Sequence, residues 1–268
     1  MEQLKENLTK EQRKALKAKN KLEKMYASMR TDLPTDYQVT VLCVRFGNKY
    51  GREYVEKLRN MVARHLTIPY DFACLTDDSH PIEGVRSMVM PNAGYSKGWW
   101  HKVHIFDNRI PLSGRILYFD LDVVIHNNID KLATMYRDDF VGILDFNRKF
   151  YSSWRYLNSS VMAWNHGTQS FLFDRFINDP KTAMRMPGDQ DWIWKNASGI
   201  LKFWPREWIQ SYKWEIRKRE DLTMLNGKRR FRDVNDNITV PADCSVCVFH
   251  GDPNPEDVQD KFVVDNWR

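Results

Sequence analysis

The stretch YFDLDVVIHNN, residues 118–128, carries two aspartates one residue apart, Asp120 and Asp122, at the end of an apolar run and before a polar turn. In a strand, positions i and i+2 face the same way. The two carboxylates then share one side while Leu121 points back toward a core. Two carboxylates held that close cannot both stay ionised cheaply. A divalent cation removes the cost. Oxygen ligands suit Mg2+ or Mn2+, and such an ion completes its shell with water and substrate phosphate oxygens. The pair therefore points to a phosphate-bearing substrate. The competing readings are a solvated strand end, a helix-capping Asp and an aspartate nucleophile.

The elements that must position this pair are legible on both sides of it. VTVLCVR (39–45) reads as a buried strand, REYVEKLRNMVARHL (52–66) as a helix with Val55, Leu58, Val62 and Leu66 in a stripe, and DFACLT (71–76) and VRSMVM (85–90) as further strands. KGWWHKVHIFD (97–107) reads as a short helix and GRILYFD (114–120) as the strand that ends on Asp120. FVGILD (140–145) and SVMAWN (160–165) follow as strands, and TQSFLFDRFIND (168–179) as a helix. Strands separated by helical segments mean βαβ units and an α/β fold with a mostly parallel sheet. Open sheets of that kind bind ligands at the carboxyl ends of their strands, where Asp120 and Asp122 fall. Neither a Rossmann glycine fingerprint nor a Walker A lysine loop occurs.

The 268 residues suit one large domain with an appendage, and 42% hydrophobic content is enough for a sizeable core. The net charge of +6 is unevenly spread. Residues 1–30 hold nine Lys/Arg against four Glu, residues 201–232 hold ten against four acids, and residues 233–268 hold two against eight. The expected division is a basic helical appendage over 1–34, its helix spanning 3–30, and a catalytic domain over 35–268. The basic helix packs on the domain or meets an anionic membrane or nucleic acid. No apolar run is long enough to span a bilayer and the first residues lack a signal-peptide apolar region. The expected location is the cytoplasm, with peripheral contact at the inner membrane face through the helix. Four cysteines in a chain this long fit reducing conditions. Cys244, Cys247 and His250 make half a zinc signature without its second half.

Downstream of the aspartates lie YLNSSVMAWN (156–165), GDQDWIW (188–194), WIQSYKW (208–214) and VFHGDPNP (248–255). D-x-D, then N-S, then D-Q-D, then F-H-G, in that order over about 39–256, resembles a bacterial or phage GT-A glycosyltransferase related to glycosyltransferase family 8. The resemblance implies a GT-A (nucleotide-diphospho-sugar transferase) fold and a hexosyltransferase using a nucleotide sugar, UDP-sugar first, with Mn2+ or Mg2+. It implies that Asp120, Asp122 and His250 bind the metal, with Asp120 also near the ribose. Arg45, Phe46 and Asn48 of the first loop would contact the nucleoside, and Lys102 the diphosphate or donor sugar. Asp145, Asn158 and Ser159 would meet the sugar hydroxyls. Asp189 and Gln190 would lie beside the anomeric carbon. Relatives in family 8 retain anomeric configuration; an inverting reaction would need a carboxylate base on the acceptor hydroxyl, from Asp189 or Asp191, and Asp191 could instead cap or orient the helix that starts there.

The related pattern has a lysine after F-H-G facing the diphosphate, where this chain has Asp252 and Asn254. Neutralisation then falls to the metal, Lys102, or a basic residue of 201–232 such as Lys213. The acceptor expected from the basic, Trp-rich stretch 202–232 is an anionic surface glycan such as lipopolysaccharide, with DNA carrying hydroxymethylated bases as the alternative. Two other classes stay open. One is a haloacid-dehalogenase-type phosphatase using Asp120 as nucleophile, although GDQD has the wrong spacing for that family's second acidic motif. The other is a binder that holds a nucleotide sugar without turning it over. Stereochemistry and oligomeric state are not readable.

Overall fold

The computed structural model describes residues 39–90, 98–217, 220–225, 228–232, 238 and 240–268, and positions 9, 13, 16, 17 and 20. The basic helix expected over 3–30 otherwise lies outside them. Seven strands form the main sheet in the order β3-β2-β1-β4-β7-β6-β8. These are β1 (Val39–Arg45), β2 (Tyr70–Thr76), β3 (Arg86–Val89), β4 (Arg115–Phe119), β6 (Phe140–Leu144), β7 (Leu157–Asn165) and β8 (Leu201–Phe203). Every neighbouring pair is parallel except those made by β7, which runs antiparallel to both β4 and β6.

The sheet is covered on both faces, so its central strands are mostly apolar on both sides. Along β1, Val41 and Cys43 enter one core while Leu42 enters the other; along β4, Leu117 and Phe119 oppose Ile116 and Tyr118. The first core takes the helix Arg52–His65 through Val55, Leu58 and Val62. The second takes the helices Ser170–Asn178 and Asp189–Ala197 and the tight 3-10 turns of Gly98–Phe106. That last segment carries Trp99 and Trp100 with two histidines and winds more tightly than an ordinary helix.

A second, three-stranded sheet joins β5 (Val123–Ile125), β12 (Val246–Val248) and β9 (Ile209–Ser211), with β12 in the middle, and β10 (Glu220–Leu225) pairs antiparallel with β11 (Lys228–Arg232) in a hairpin. Cys244 and Cys247 are buried, and Cys247 sits in β12. Among the described residues no helix is long and apolar enough to cross a membrane.

One expectation is corrected here. The strand ends at Phe119, and Leu121 and Asp122 form a turn into β5. Asp120 and Asp122 therefore do not share one side of one strand; the turn hands each to a different set of partners.

Candidate functional site

The carboxyl edge of the main sheet gathers most of the residues singled out above. Tyr118 and Asp120 follow the strand period and meet, the Tyr118 hydroxyl donating to Asp120 Oδ1 at 2.6 Å. Opposite them, β7 begins at the same edge because it runs backward. Its pairing with β6 jumps between Gly142 and Ile143, so Ile143 faces Asn158 while Gly142 faces Met162. Such a bulge re-aims side chains, and here it brings Ser159 to the site. Asn158 Oδ1 accepts from the Ser160 amide at 3.1 Å.

Lys102 is the hub. It is buried, and its Nζ lies 2.8 and 3.0 Å from the two oxygens of Asp120. The same ammonium is 3.0 Å from Ser159 Oγ and 3.3 Å from Asp189 Oδ2, and Ser159 Oγ donates to Asp189 Oδ2 at 2.8 Å. Burial alone would pull this lysine's pKa down; Asp120 and Asp189 outweigh it and hold the ammonium above the ordinary lysine range. Four sequence-distant positions thus form one satisfied polar network, which rigidifies a buried site.

Asp122 sits in a different setting. Its Oδ2 accepts from the Tyr50 hydroxyl at 2.8 Å. Burial, then the charge of Asp120, pushes its pKa up to about 6, against the opposing pull of the Tyr50 hydrogen bond. His250 arrives through the second sheet: the Phe249 amide donates to the Asp122 carbonyl at 3.2 Å, immediately after β12. The imidazole stacks on Phe146 at 5.2 Å, and its Nε2 lies 2.6 Å from Ser211 Oγ. Lys213 Nζ reaches the carbonyls of His250 and Asp252. An ammonium thus reaches the His250–Asp252 loop from a different element.

The donor set fits a divalent cation in part. The Asp122 carboxyl is raised by burial and then by the charge of Asp120, a conflict that a cation relieves. His250 is engaged by Ser211, and among the described residues no three His, Cys, Asp or Glu side chains converge as a metal cluster. An ion here would be held by Asp120 and Asp122 and completed by substrate oxygens.

Around this centre, Arg45 bonds the Tyr50 carbonyl at 3.1 Å and pairs with Asp78 at 3.2 Å, tying its own loop to the one after β2. Phe46 stacks flat on His101, 4.3 Å between ring centres, while Asn48 is exposed. Asp145 directly follows β6, and its Oδ1 takes the Asn147 amide, the Asn147 side chain and Trp154 Nε1 at 2.7–3.0 Å. Asp189, Gln190 and Asp191 open the helix Asp189–Ala197. The Asp191 pKa is raised by burial and then by Asp189 and Asp145.

Sequence reasoning missed Tyr50, Tyr118, Ser211 and Trp154. Tyr118 carried a signal, standing two residues before Asp120 on a strand. The other three reach the site from turns and short elements whose approach no periodicity marks.

No protein-family model matches the sequence, and no curated protein matches it. In three dimensions the chain is similar to the galactosyltransferase LgtC. An active-site mutant of LgtC superposes with a TM-score of 0.55 at 14% identity, covering 81% of this chain and 89% of that one. LgtC in complex with donor and acceptor sugar analogs gives 0.53 at 13% identity, covering 81% and 88%. The bifunctional glycosyltransferase WbbM gives 0.56 at 14% identity over 88% of this chain and 50% of WbbM, so the chain spans half that enzyme's length. The chain has the GT-A fold of these glycosyltransferases.

Proposed function

We propose that the chain is a glycosyltransferase that moves a hexose-type sugar from a nucleotide-diphosphate donor, a UDP-sugar first, to an acceptor hydroxyl. The observation that carries this reading is the buried network of Lys102, Asp120, Ser159 and Asp189 at the carboxyl edge of a GT-A sheet. In this reading Arg45, Phe46 and Asn48 receive the nucleoside, and Lys102 and Lys213 bring positive charge to the diphosphate. Asp145, Asn158 and Ser159 orient the sugar through its hydroxyls, as fixed polar groups do where charge develops. Gln190 faces the anomeric carbon. Asp191, raised above the ordinary carboxylate range, is suited to take the acceptor hydroxyl's proton on its carboxylate.

Asp120 and Asp122 would hold Mn2+ or Mg2+, and His250 would join them as a third ligand only by exchanging its Ser211 contact for the ion. Such an ion supplies Lewis-acid stabilisation of the departing diphosphate. The acceptor proposed is a glycan of the lipopolysaccharide kind, with modified DNA the alternative. LgtC has been crystallised with both donor and acceptor sugar analogs, which supports a site of this sort without fixing its sugars.

The test is a thermal-shift and hydrolysis panel of UDP-hexoses with and without Mn2+. Manganese-dependent stabilisation and slow release of UDP are expected. Silence toward every nucleotide sugar, with phosphate released from simple esters instead, would move Asp120 to the role of nucleophile and end the transferase reading.

A further inference from the structure

Five aromatic rings form an unbroken run beside the site, and none of them belongs to the donor contacts above apart from the Trp154 bond to Asp145. Ring centres step from Tyr151 to Trp154 (5.8 Å), to Tyr156 (4.6 Å), to Trp194 (5.5 Å) and to Phe203 (6.1 Å). Tyr151 and Tyr156 are each 46% exposed, among the few large rings that lie open while most fill the two cores. Trp154, Trp194 and Phe203 are half-buried, the last two against the second core, and the aromatic surface left open at Tyr151 and Tyr156 marks a contact site.

The run is anchored to the reacting centre at two points. Trp154 Nε1 donates to Asp145 Oδ1 at 2.8 Å, and the Asp145 amide donates to the Tyr156 carbonyl at 2.9 Å. Trp194 stands three residues after Asp191 on one helix, so the two share a face. Trp99 is 60% exposed, and its indole and Asp191 both approach Gly188. A Cβ added to Gly188 would sit 3.6 Å from Asp191 Oδ2 and 3.7 Å from Trp99 Nε1. The bare glycine keeps that gap open. The loop is also stiffened: Arg155 donates to the carbonyls of Ser152 and Trp154 at 2.9 and 2.8 Å.

We propose that this run is an acceptor subsite for an oligosaccharide, laid over Tyr151, Trp154, Tyr156 and Trp194 so that one hydroxyl reaches Asp191. The inference rests on the transferase reading and names its acceptor class. A pyranose has C–H faces and a rim of hydroxyls. Aromatic rings with polar tips match both. Successive rings are tilted 34–49° from one another from Tyr151 to Trp194, so each offers its own facet to one sugar unit. Single-stranded nucleic acid also stacks on aromatic side chains, but it needs a cationic groove along its backbone. The inner end of this run instead meets carboxylates: Trp154 bonds Asp145, and Asp191, which shares a helix face with Trp194, feels the charges of Asp189 and Asp145.

The experiment titrates cellohexaose, maltohexaose and chitohexaose into the full chain and into the double variant Tyr151→Ala/Tyr156→Ala, read by intrinsic tryptophan fluorescence. A twelve-nucleotide oligo-dT is the comparison, and UDP-hexose thermal shifts are read on the same two proteins. Binding of at least one hexasaccharide, weakened tenfold or more in the double variant, is expected. Binding of none, equal binding by the variant, or binding of oligo-dT alone overturns the subsite. The two readings separate cleanly. A response to UDP-hexose with no hexasaccharide binding defeats the subsite and leaves the donor site. Tyrosine-dependent hexasaccharide binding with no donor response defeats the transferase and leaves a glycan-binding surface.

Discussion

Replacing Lys102 with methionine keeps the apolar stem and deletes the charge. What remains is Asp120 and Asp189 around Ser159 without the ammonium that lies 2.8–3.3 Å from them. The magnitude turns on burial. A solvent-exposed pair is worth about 0–1 kcal/mol, whereas breaking a buried pair by removing one partner costs roughly 3–5 kcal/mol. Lys102 and Asp189 are 10% and 9% exposed at the side chain, so the larger figure applies. For a chain of this size that lowers Tm by roughly 6–20 °C, within a typical total stability of about 5–15 kcal/mol. The assay is urea denaturation followed by circular dichroism. Adding Asp189→Asn to the lysine variant should recover part of the loss, with an interaction term of at least about 1 kcal/mol. A loss under 1 kcal/mol, or strict additivity of the two changes, would show that the lysine is not the hub described here.

Asp122→Asn should stabilise the fold at pH 7.5 while abolishing any manganese-dependent response to a nucleotide sugar. The carboxylate's pKa of about 6 in the folded chain exceeds the roughly 3.9 of an unfolded aspartate. Folding therefore binds a proton between those values, and stability falls as pH rises from 4 to 6. The penalty above pH 6 is at most about 3 kcal/mol. The variant's advantage should vanish at pH 4, and an equal advantage at both pH values would mean that Asp122 is not the strained group. Ser211→Ala removes the hydroxyl 2.6 Å from His250 and the acceptor for the Trp214 amide; a loss of about 1–3 kcal/mol is expected, with the His250 ring resonances shifting by NMR. Trp154→Phe deletes one donor to Asp145 and should raise the donor KM more than it lowers kcat; a pure kcat effect would remove Asp145 from ground-state sugar binding.

The seven-stranded sheet was largely legible because its strands are buried on both faces. VTVLCVR, DFACLT and FVGILD are near-continuous apolar runs, and they fall within a residue or so of the observed β1, β2 and β6. The three-stranded sheet was mostly hidden. Its strands are three residues each and gain their order from one another, a tertiary effect that no window of sequence contains. At the site, the residue types were readable while their pairing was not. Lys102 was expected to face a diphosphate; its observed partners are Asp120, Ser159 and Asp189. Lys213 was one of several basic residues in 201–232, and only the packing of β9 beside β12 brings it to the His250–Asp252 loop. The aromatic run escaped notice because Tyr151, Trp154 and Tyr156 lie in a loop with no period, and their link to Trp194 is made only in space.

Because β12 lies between β5 and β9 and the Phe249 amide bonds the Asp122 carbonyl, half of the aspartate turn's framework is supplied by residues more than a hundred positions later in the chain. Contacts of such separation form slowly, since the loop must close before the pairing rewards it. During synthesis the main sheet can gather from β1 to β8 while the turn at Asp122 still lacks its strand partner. The site is thus complete only when residues 246–250 join β5 to β9, strands that meet in that sheet only through β12.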